Sequence, residues 1–190
     1  MNESIEKINR SIKSGQTIIK VISYEEKRVE KFLAMLNKQS YQNETNYYWD
    51  INNGLSDGRS YIPDTKDPVK ALSHVLQSST PPGFFVFRDL SPLLKDPNFD
   101  AVPVNRKIRE AFSVLKKKGK TIFLLSADEY FPDMIKKEID VIRFEVPDYN
   151  ELENLFLRFL DSIQKSGKQI QLTEDQKKNF VTAVMGLTYE

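Results

Sequence analysis

Along this chain the spacing of apolar residues switches repeatedly between two periods, and the switches mark the elements. Ile18, Ile19, Val21 and Ile22 form a short, mostly apolar, β-branched run of the kind found in a buried strand. Directly afterwards Val29, Phe32, Leu33 and Leu36 recur at helical spacing. Between the two lies Ser23-Tyr24-Glu25-Glu26, in which a Ser followed three residues later by a Glu is a capping-box pattern. The spacing predicts a helix N-cap at Ser23, with Glu26 reaching back to its amide, and a very short strand-to-helix turn. Upstream, Ile5, Ile8 and Ile12 stand among charges and predict an amphipathic helix over 2–14 that stops near Gly15.

The alternation continues after a polar loop over 38–46. Tyr47, Tyr48, Trp49 and Ile51 read as an aromatic strand stopped by Asn52-Asn53-Gly54, and residues 55–66, with Gly58 and Pro63, as a mobile loop. Asp67 followed by Pro68 is a strong helix start, and Val69, Leu72, Val75 and Leu76 mark its inner face until the break at 78–83. Phe84 to Phe87 is a continuous apolar strand ending at Arg88-Asp89, as expected in the middle of a parallel sheet. After a loop over 91–103, Val104, Ile108, Phe112 and Leu115 share one helix face, and Lys116-Lys117-Lys118-Gly119 suits the helix C-terminus. Residues 121–125 are a further buried strand, ended by Ser126-Ala127-Asp128; a short helix over 132–137 leads to a last strand with Val141, Ile142 and Phe144.

Five strands alternating with helices predict an α/β fold: a parallel five-stranded sheet with helices on both faces. From Pro147 the pattern changes. Asp148 with Glu151 repeats the capping box, and Leu152, Leu155, Phe156, Phe159, Leu160 and Ile163 form one long stripe. Thr173 with Gln176 caps a second helix carrying Phe180, Val181 and Val184, which ends before Gly186-Leu187-Thr188. The expected organisation is an α/β domain over 1–147 and a small helical appendage over 148–190.

Composition narrows the chemistry more than the fold. A chain of 190 residues has room for one α/β domain and a small appendage. A formal net charge of +1 gives no bulk pull toward nucleic acid or acidic lipid. The absence of cysteine excludes disulfide and thiolate chemistry in these residues, and a single histidine, His74, makes no His-rich metal site. No apolar run approaches the roughly 20 residues that span a bilayer, and the first 14 residues are too charged for a secretory signal. A soluble, intracellular protein without a membrane partner is the expectation.

Taken in order, the motifs resemble a known family. VISYEEKRVE (Val21 to Glu30), the Trp49 strand with Gly54-Leu55, Asp67-Pro68 with Ala71-Leu72, FFVFRDLSPLL (Phe84 to Leu94), VNRKIRE (Val104 to Glu110), TIFLLSAD (Thr121 to Asp128) and FEVPDYNEL (Phe144 to Leu152) are similar to the N-terminal, degenerate AAA-like half of the plastid and cyanobacterial hypothetical-chloroplast-frame AAA+ ATPases and their bacterial relatives. The resemblance implies an AAA+-like three-layer α/β/α domain without a Walker A loop, followed by a partial helical lid. It also implies a larger parent ATPase, in which a following AAA+ module is this domain's partner and holds ATP and magnesium. A homo-oligomer in the cytoplasm, or in the plastid stroma for a plastid-derived chain, is the corresponding expectation. A GxxxxGK[ST] sequence encoded after Glu190 would agree with it.

ATP hydrolysis needs G-x-x-x-x-G-K-[ST] in the first turn, and none occurs in these residues. Glu25 and Glu26 instead complement the helix macrodipole, by about 0.3–1 kcal/mol each, and repel a triphosphate. The degenerate nucleotide site is therefore assigned to Ser23, Tyr24 and Glu25 in the turn, Asp89 at the first acid position with Leu90 where a second acid belongs, and Ser126 at the polar sensor position. Asp89 and Ser126 also have plainer readings, as a loop-capping acid and a strand-end hydroxyl. Arg106 and Arg109 are candidate inter-subunit arginines; the plainer reading makes them the solvated face of a helix whose buried side holds Ile108 and Phe112. No catalytic residue and no metal ligand is assigned to this chain. The leading expectation is a non-hydrolysing AAA+-like assembly or regulatory module. The alternative is a nucleic-acid-binding module using Lys116 to Lys120, the loop 55–66 and the stacking faces of Tyr47, Tyr48 and Trp49; the weakest is an enzyme using Asp89 and Asp128 at the sheet's carboxyl edge.

Overall fold

The computed structural model describes residues 3–41, 46–77, 79–137, 139–165, 167 and 172–185. Its elements are α1 (Glu3–Lys13), β1 (Ile18–Ile22), α2 (Glu26–Tyr41), β2 (Tyr47–Asp50), β3 (Gly54–Ser56), α3 (Pro68–Leu76), β4 (Gly83–Arg88), α4 (Leu90–Lys95), α5 (Ala101–Leu115), β5 (Lys120–Ser126), α6 (Asp133–Lys136), β6 (Asp140–Arg143), α7 (Tyr149–Lys165) and α8 (Glu174–Val184). They divide into two compact units, the first over Glu3–Phe144 and the second beginning at Glu145.

In the first unit one sheet runs in the order β3-β2-β4-β5-β1-β6. Successive side chains of a strand point to opposite faces, so the continuous apolar runs feed two cores. Ile18, Phe85, Phe87, Ile122 and Leu124 pack under α3, α4, α5 and α6. Ile19, Val21, Phe84, Val86, Phe123 and Leu125 pack under α1 and α2. The three-layer α/β/α architecture follows from this double burial. The five strands expected to be parallel are β1, β2, β4, β5 and β6, and all pair in parallel.

A sixth strand, β3, adds an antiparallel edge beside β2, so the sheet has six strands rather than five. It falls at the start of the stretch expected to be a mobile loop. Gly54, at φ +81, turns the chain back where an added Cβ would meet Thr65 Oγ1 at 2.9 Å. Thr65 then accepts from the Leu55 amide at 2.8 Å and donates to the Ile62 carbonyl at 2.6 Å, while Trp49 Nε1 donates to the Thr65 carbonyl at 2.8 Å. This segment is tied down by its own side chains.

Two further expectations are corrected. The predicted loop over 91–103 contains α4, and α5 begins at Ala101 rather than Val104. Pro92 and Pro103 sit in the first turns of these helices, where no intrahelical N–H is needed. The N-cap of α2 is Glu25, whose carbonyl accepts from Arg28 and Val29 at 3.1 Å each. Ser23 lies two residues earlier, where its Oγ accepts from the Glu25 amide at 3.0 Å; its own amide donates to the Ser126 carbonyl at 3.1 Å and prolongs the β1–β5 ladder, so the amide that Glu26 was expected to reach is already taken. Other helix starts stand as read: Asp67 accepts from the amides of Val69 and Lys70 at 2.7 and 3.0 Å.

Four of the residues invoked for nucleic acid, Lys118, Lys120, Tyr47 and Trp49, are engaged within the fold, while Lys116 and Lys117 are exposed. Lys120 is buried and donates to the carbonyls of Val75 and Gln77 at 2.7 Å, and Lys118 donates to that of Leu76. Both thus satisfy the carbonyl end of α3. Trp49 is fully buried and stacks on Phe87 at 5.4 Å, and Tyr47 stacks on Phe85 at 4.8 Å.

In the second unit Asp148 accepts from the Glu151 amide at 2.8 Å at the start of α7, and Thr173 and Gln176 form the predicted capping box of α8. Phe156 and Phe180 stack at 5.1 Å, and Val181 is buried. The predicted ending at 186–188 lies outside the described residues. Among the described residues no helix is long and apolar enough to cross a membrane.

Candidate functional site at the switch point of the sheet

β1 and β5 are neighbours, yet their carboxyl ends lead to opposite faces: β1 into α2, whose Val29, Phe32, Leu33 and Leu36 pack on one side, and β5 into α6, anchored by Ile135 on the other. Such a divergence leaves the crevice where α/β sheets hold ligands. Its rim is made by the β1–α2 turn, Ser126 and Asp128 after β5, and Asp89 after the next strand, β4.

Only Ser23, Tyr24 and Glu25 separate β1 from α2. The Glu25 amide donates to Ser23 Oγ at 3.0 Å. The Glu25 side chain is 2% exposed and accepts from Arg28 Nη1 at 2.7 Å, and the Arg28 guanidinium lies 4.9 Å from the Phe144 ring centre. Tyr24 is the exposed residue of the turn, at 84%. An anion at a helix N-terminus needs free amides and no competing carboxylate. Here the amides of Ser23 and Glu25 have partners and a buried carboxylate stands in the first turn, so these residues do not fit a triphosphate and its magnesium.

The tripeptide Gly119-Lys120-Thr121 matches the last part of a phosphate loop, yet it opens β5 at the opposite, amino end of the strand. There Lys120 serves α3, and burial, reinforced by the charge of Lys118, lowers its pKa to about 8.

Asp89 is exposed, with φ 50 and ψ 26, and its amide donates to the Leu125 carbonyl at 2.9 Å. Its side chain makes no capping bond to α4. Leu90, where a second acid belongs, is in the core. Beside Asp89, Arg88 donates to Glu30 at 2.6 Å, lies 3.2 Å from Glu26 and 3.9 Å from Asp50, and covers the Tyr48 ring at 5.0 Å. Burial alone would lower the Arg88 pKa, but the bond to Glu30 and the charges of Glu30, Glu26 and Asp50 raise it. Glu26 is raised above the ordinary carboxylate range by burial, against the pull of Arg88, and also by Glu30, Asp89 and Asp50. The rim is thus rich in carboxylates that repel one another.

A buried cation lies beneath it. Lys20 is fully buried in β1 and donates to Ser91 Oγ and Ser126 Oγ, both at 2.8 Å. Ser126 is itself buried and donates onward to the Asp128 carbonyl at 3.2 Å. Burial lowers the Lys20 pKa to about 8, with Asp128 and Asp89 pulling the other way. The sequence reading passed over Lys20 as an interruption of an apolar run. Its signal was there: in a strand buried on both faces, a polar residue between Ile18 and Ile22 faces a core and needs partners.

Arg106 and Arg109 are exposed on α5, opposite its buried residues Val104, Ile108, Ala111 and Leu115, and neither has an ion-pair partner among the described residues. They are not brought to the crevice by any contact described. His74 lies in α3, its pKa lowered by burial and by Lys120. Among the described residues no group of three or more His, Cys, Asp or Glu is placed to hold a metal.

Comparison with known proteins agrees with this architecture. An uncharacterized AAA domain-containing protein ycf46 of Trieres chinensis is 26% identical over 154 residues, which cover 80% of this chain and 30% of that protein. Its counterpart of the same name in Gracilaria tenuistipitata var. liui is 24% identical over 161 residues, 84% of this chain and 31% of that protein. The chain therefore spans about three tenths of the length of these curated relatives. Among solved structures, a DNA polymerase III gamma subunit-related protein from Thermotoga maritima superposes with a TM-score of 0.50 at 10% identity, over 85% of this chain and 54% of that one, a likeness of fold. The family model of the SpoVK-like AAA ATPase, N-terminal domain, matches residues 4–144, and the chain belongs to that family.

Proposed function

We propose that this chain is a non-hydrolysing AAA+-like module, an assembly or regulatory surface for an ATPase module elsewhere in a longer parent protein. The observation that carries the reading is the β1–α2 turn: three residues, a buried Glu25–Arg28 pair and a Ser23 amide engaged by Ser126, where a phosphate loop belongs. The relatives' greater length leaves room for a module that supplies ATP and magnesium chemistry. Arg106 and Arg109, exposed and without ion-pair partners among the described residues, are the groups this chain offers to a neighbouring module. Isothermal calorimetry of the chain with ATP and magnesium tests the proposal. The expected result is no heat of binding up to millimolar nucleotide; micromolar affinity would sink it. The nucleic-acid alternative has lost much of its support, since Lys118, Lys120 and Trp49 are committed to the fold.

A further inference from the structure

A sheet has to dispose of the hydrogen-bonding groups on its two outer strands, and this one treats its edges differently. At the β3 edge the chain folds back on itself: the Ile62 amide donates to the Leu55 carbonyl at 2.7 Å, and Ser56 bridges to Tyr61 in antiparallel sense. At the other edge β6 pairs with β1 alone.

The direction of each backbone group on β6 follows from its ladder. The Phe144 amide donates to the Ile22 carbonyl at 2.9 Å, and Ile22 stands opposite Arg143. In a parallel ladder one residue bonds the neighbouring strand with both its groups and the next turns both away. Ile142 and Phe144 therefore serve β1, while Val141 and Arg143 direct N–H and C=O outward. Among the described residues no backbone bond meets these four outward groups. The side chains that would guard the edge are drawn aside: Asp140 accepts from Ser11 Oγ of α1 at 2.6 Å, and Arg143 pairs with Glu129. Val141 between them is 48% exposed, and no proline or lysine interrupts β6.

We propose that β6 pairs antiparallel with β6 of a second copy of this chain, about a twofold axis at Ile142, so that one sheet runs through both copies. Three features favour a second copy as the occupant. Val141 and Arg143 are two positions apart, so this axis sets Val141 opposite Arg143 of the second copy and joins all the outward groups in four reciprocal bonds. The edge carries one acid and one base, and antiparallel pairing lays the Arg143 end of one copy along the Asp140 end of the other, where two like-charged edges would repel. The β3 edge is already closed, so the assembly stops at two copies instead of growing into a filament. The pairing does not use the β1–α2 turn: a monomeric chain would overturn it and leave the proposed function as it stands, and ATP binding would do the reverse.

Sedimentation equilibrium up to millimolar protein measures association, and backbone amide exchange locates it. The expected result is a monomer–dimer equilibrium in which the Val141 and Arg143 amides exchange freely in dilute protein and gain protection as the dimer forms. The Phe144 amide, bonded to Ile22, is protected at every concentration. Val141→Pro removes an outward N–H and leaves the β1 ladder intact; it should weaken dimerisation by about thirtyfold, through the loss of two of the four bonds, with the fluorescence of buried Trp49 unchanged. If that variant does not fold, amide exchange in the unsubstituted chain decides alone. A chain that stays monomeric, a dimer whose Val141 and Arg143 amides gain no protection, or dimerisation indifferent to a folded Val141→Pro would overturn the pairing.

Discussion

Replacing Lys20 by methionine, which keeps the length of the side chain and removes its charge, is expected to stabilise the protein. Lys20 is fully buried, and its pKa of about 8 in the fold compares with 10.5 for the free side chain. At about 1.4 kcal/mol per pH unit, that difference means the fold disfavours the charged form by roughly 3 kcal/mol. Against this stands the loss of a partner by Ser91, about 1 kcal/mol; Ser126 keeps its bond to the Asp128 carbonyl. The net expectation at pH 7 is a gain of about 1–2 kcal/mol, or a few degrees in Tm.

The pH dependence separates this account from simple repacking. Below about 8 both folded and unfolded chains hold the Lys20 proton, and stability sits at its lower level. Between about 8 and 10.5 the unfolded chain keeps a proton that the folded chain has released, so stability rises with pH. Lys120, also lowered to about 8, adds a ramp of the same sign. Tyr47 and Tyr48, raised above 10.0 by burial, oppose it only at higher pH. Urea unfolding followed by the fluorescence of Trp49, the single tryptophan and fully buried, measures the ramp from pH 7 to 10. Lys20→Met should keep the Lys120 part and lose the rest. A variant less stable than the parent at pH 7, or an unchanged ramp, refutes the reasoning.

Two further substitutions test the scaffold and the rim. Gly54→Ala should lose about 2 kcal/mol or more, since left-handed backbone disfavours alanine by about 1–2 kcal/mol and the new Cβ meets Thr65 and Lys66 at 2.9–3.0 Å; Gly58→Ala, at φ +84 with nothing within 4 Å, should show the backbone part alone in the same urea titration. Arg88→Met should lose about 1–3 kcal/mol at pH 7 by leaving Glu30, Glu26 and Asp50 together. Its stability should recover toward pH 5, because carboxylates whose folded pKa is raised stabilise the fold when protonated; a deficit independent of pH would count against the charge account.

How much of this was legible depended on how many local signals coincided. Asp67-Pro68 and Thr173 with Gln176 were read correctly because cap, first turn and apolar spacing agreed. The five parallel strands were legible as apolar runs between helical patterns. β3 was not: three residues carry no period, and its place depends on Thr65, ten positions from Leu55. α4 was hidden by Pro92, which marks a loop on a general reading and is harmless in a first turn. The capping box at Ser23 failed because a distant strand claimed its amide first, which no local pattern can report. Lys20 is the same lesson for the candidate site: its partners lie 71 and 106 positions away.

These long-range bonds change what the first turn means physically. A lost glycine-rich loop alone would leave a helix N-terminus still attractive to anions, since the macrodipole and free amides remain. Here the compensation is distributed: Ser126 holds the Ser23 amide, Ser23 holds the Glu25 amide, and the Glu25 carboxylate, neutralised by Arg28, stands where negative charge is favoured. Arg88 is occupied by Glu30 and Glu26, and Lys20 by two serines beneath the rim. Arg28, Arg88 and Lys20 thus each have an internal partner, and the exposed acid Asp89 is left facing solvent. On the proposed reading the scaffold has therefore replaced its ligand with its own side chains, Ser23, Glu25 and Arg28 in the first turn and Lys20 with its two serines beneath the rim.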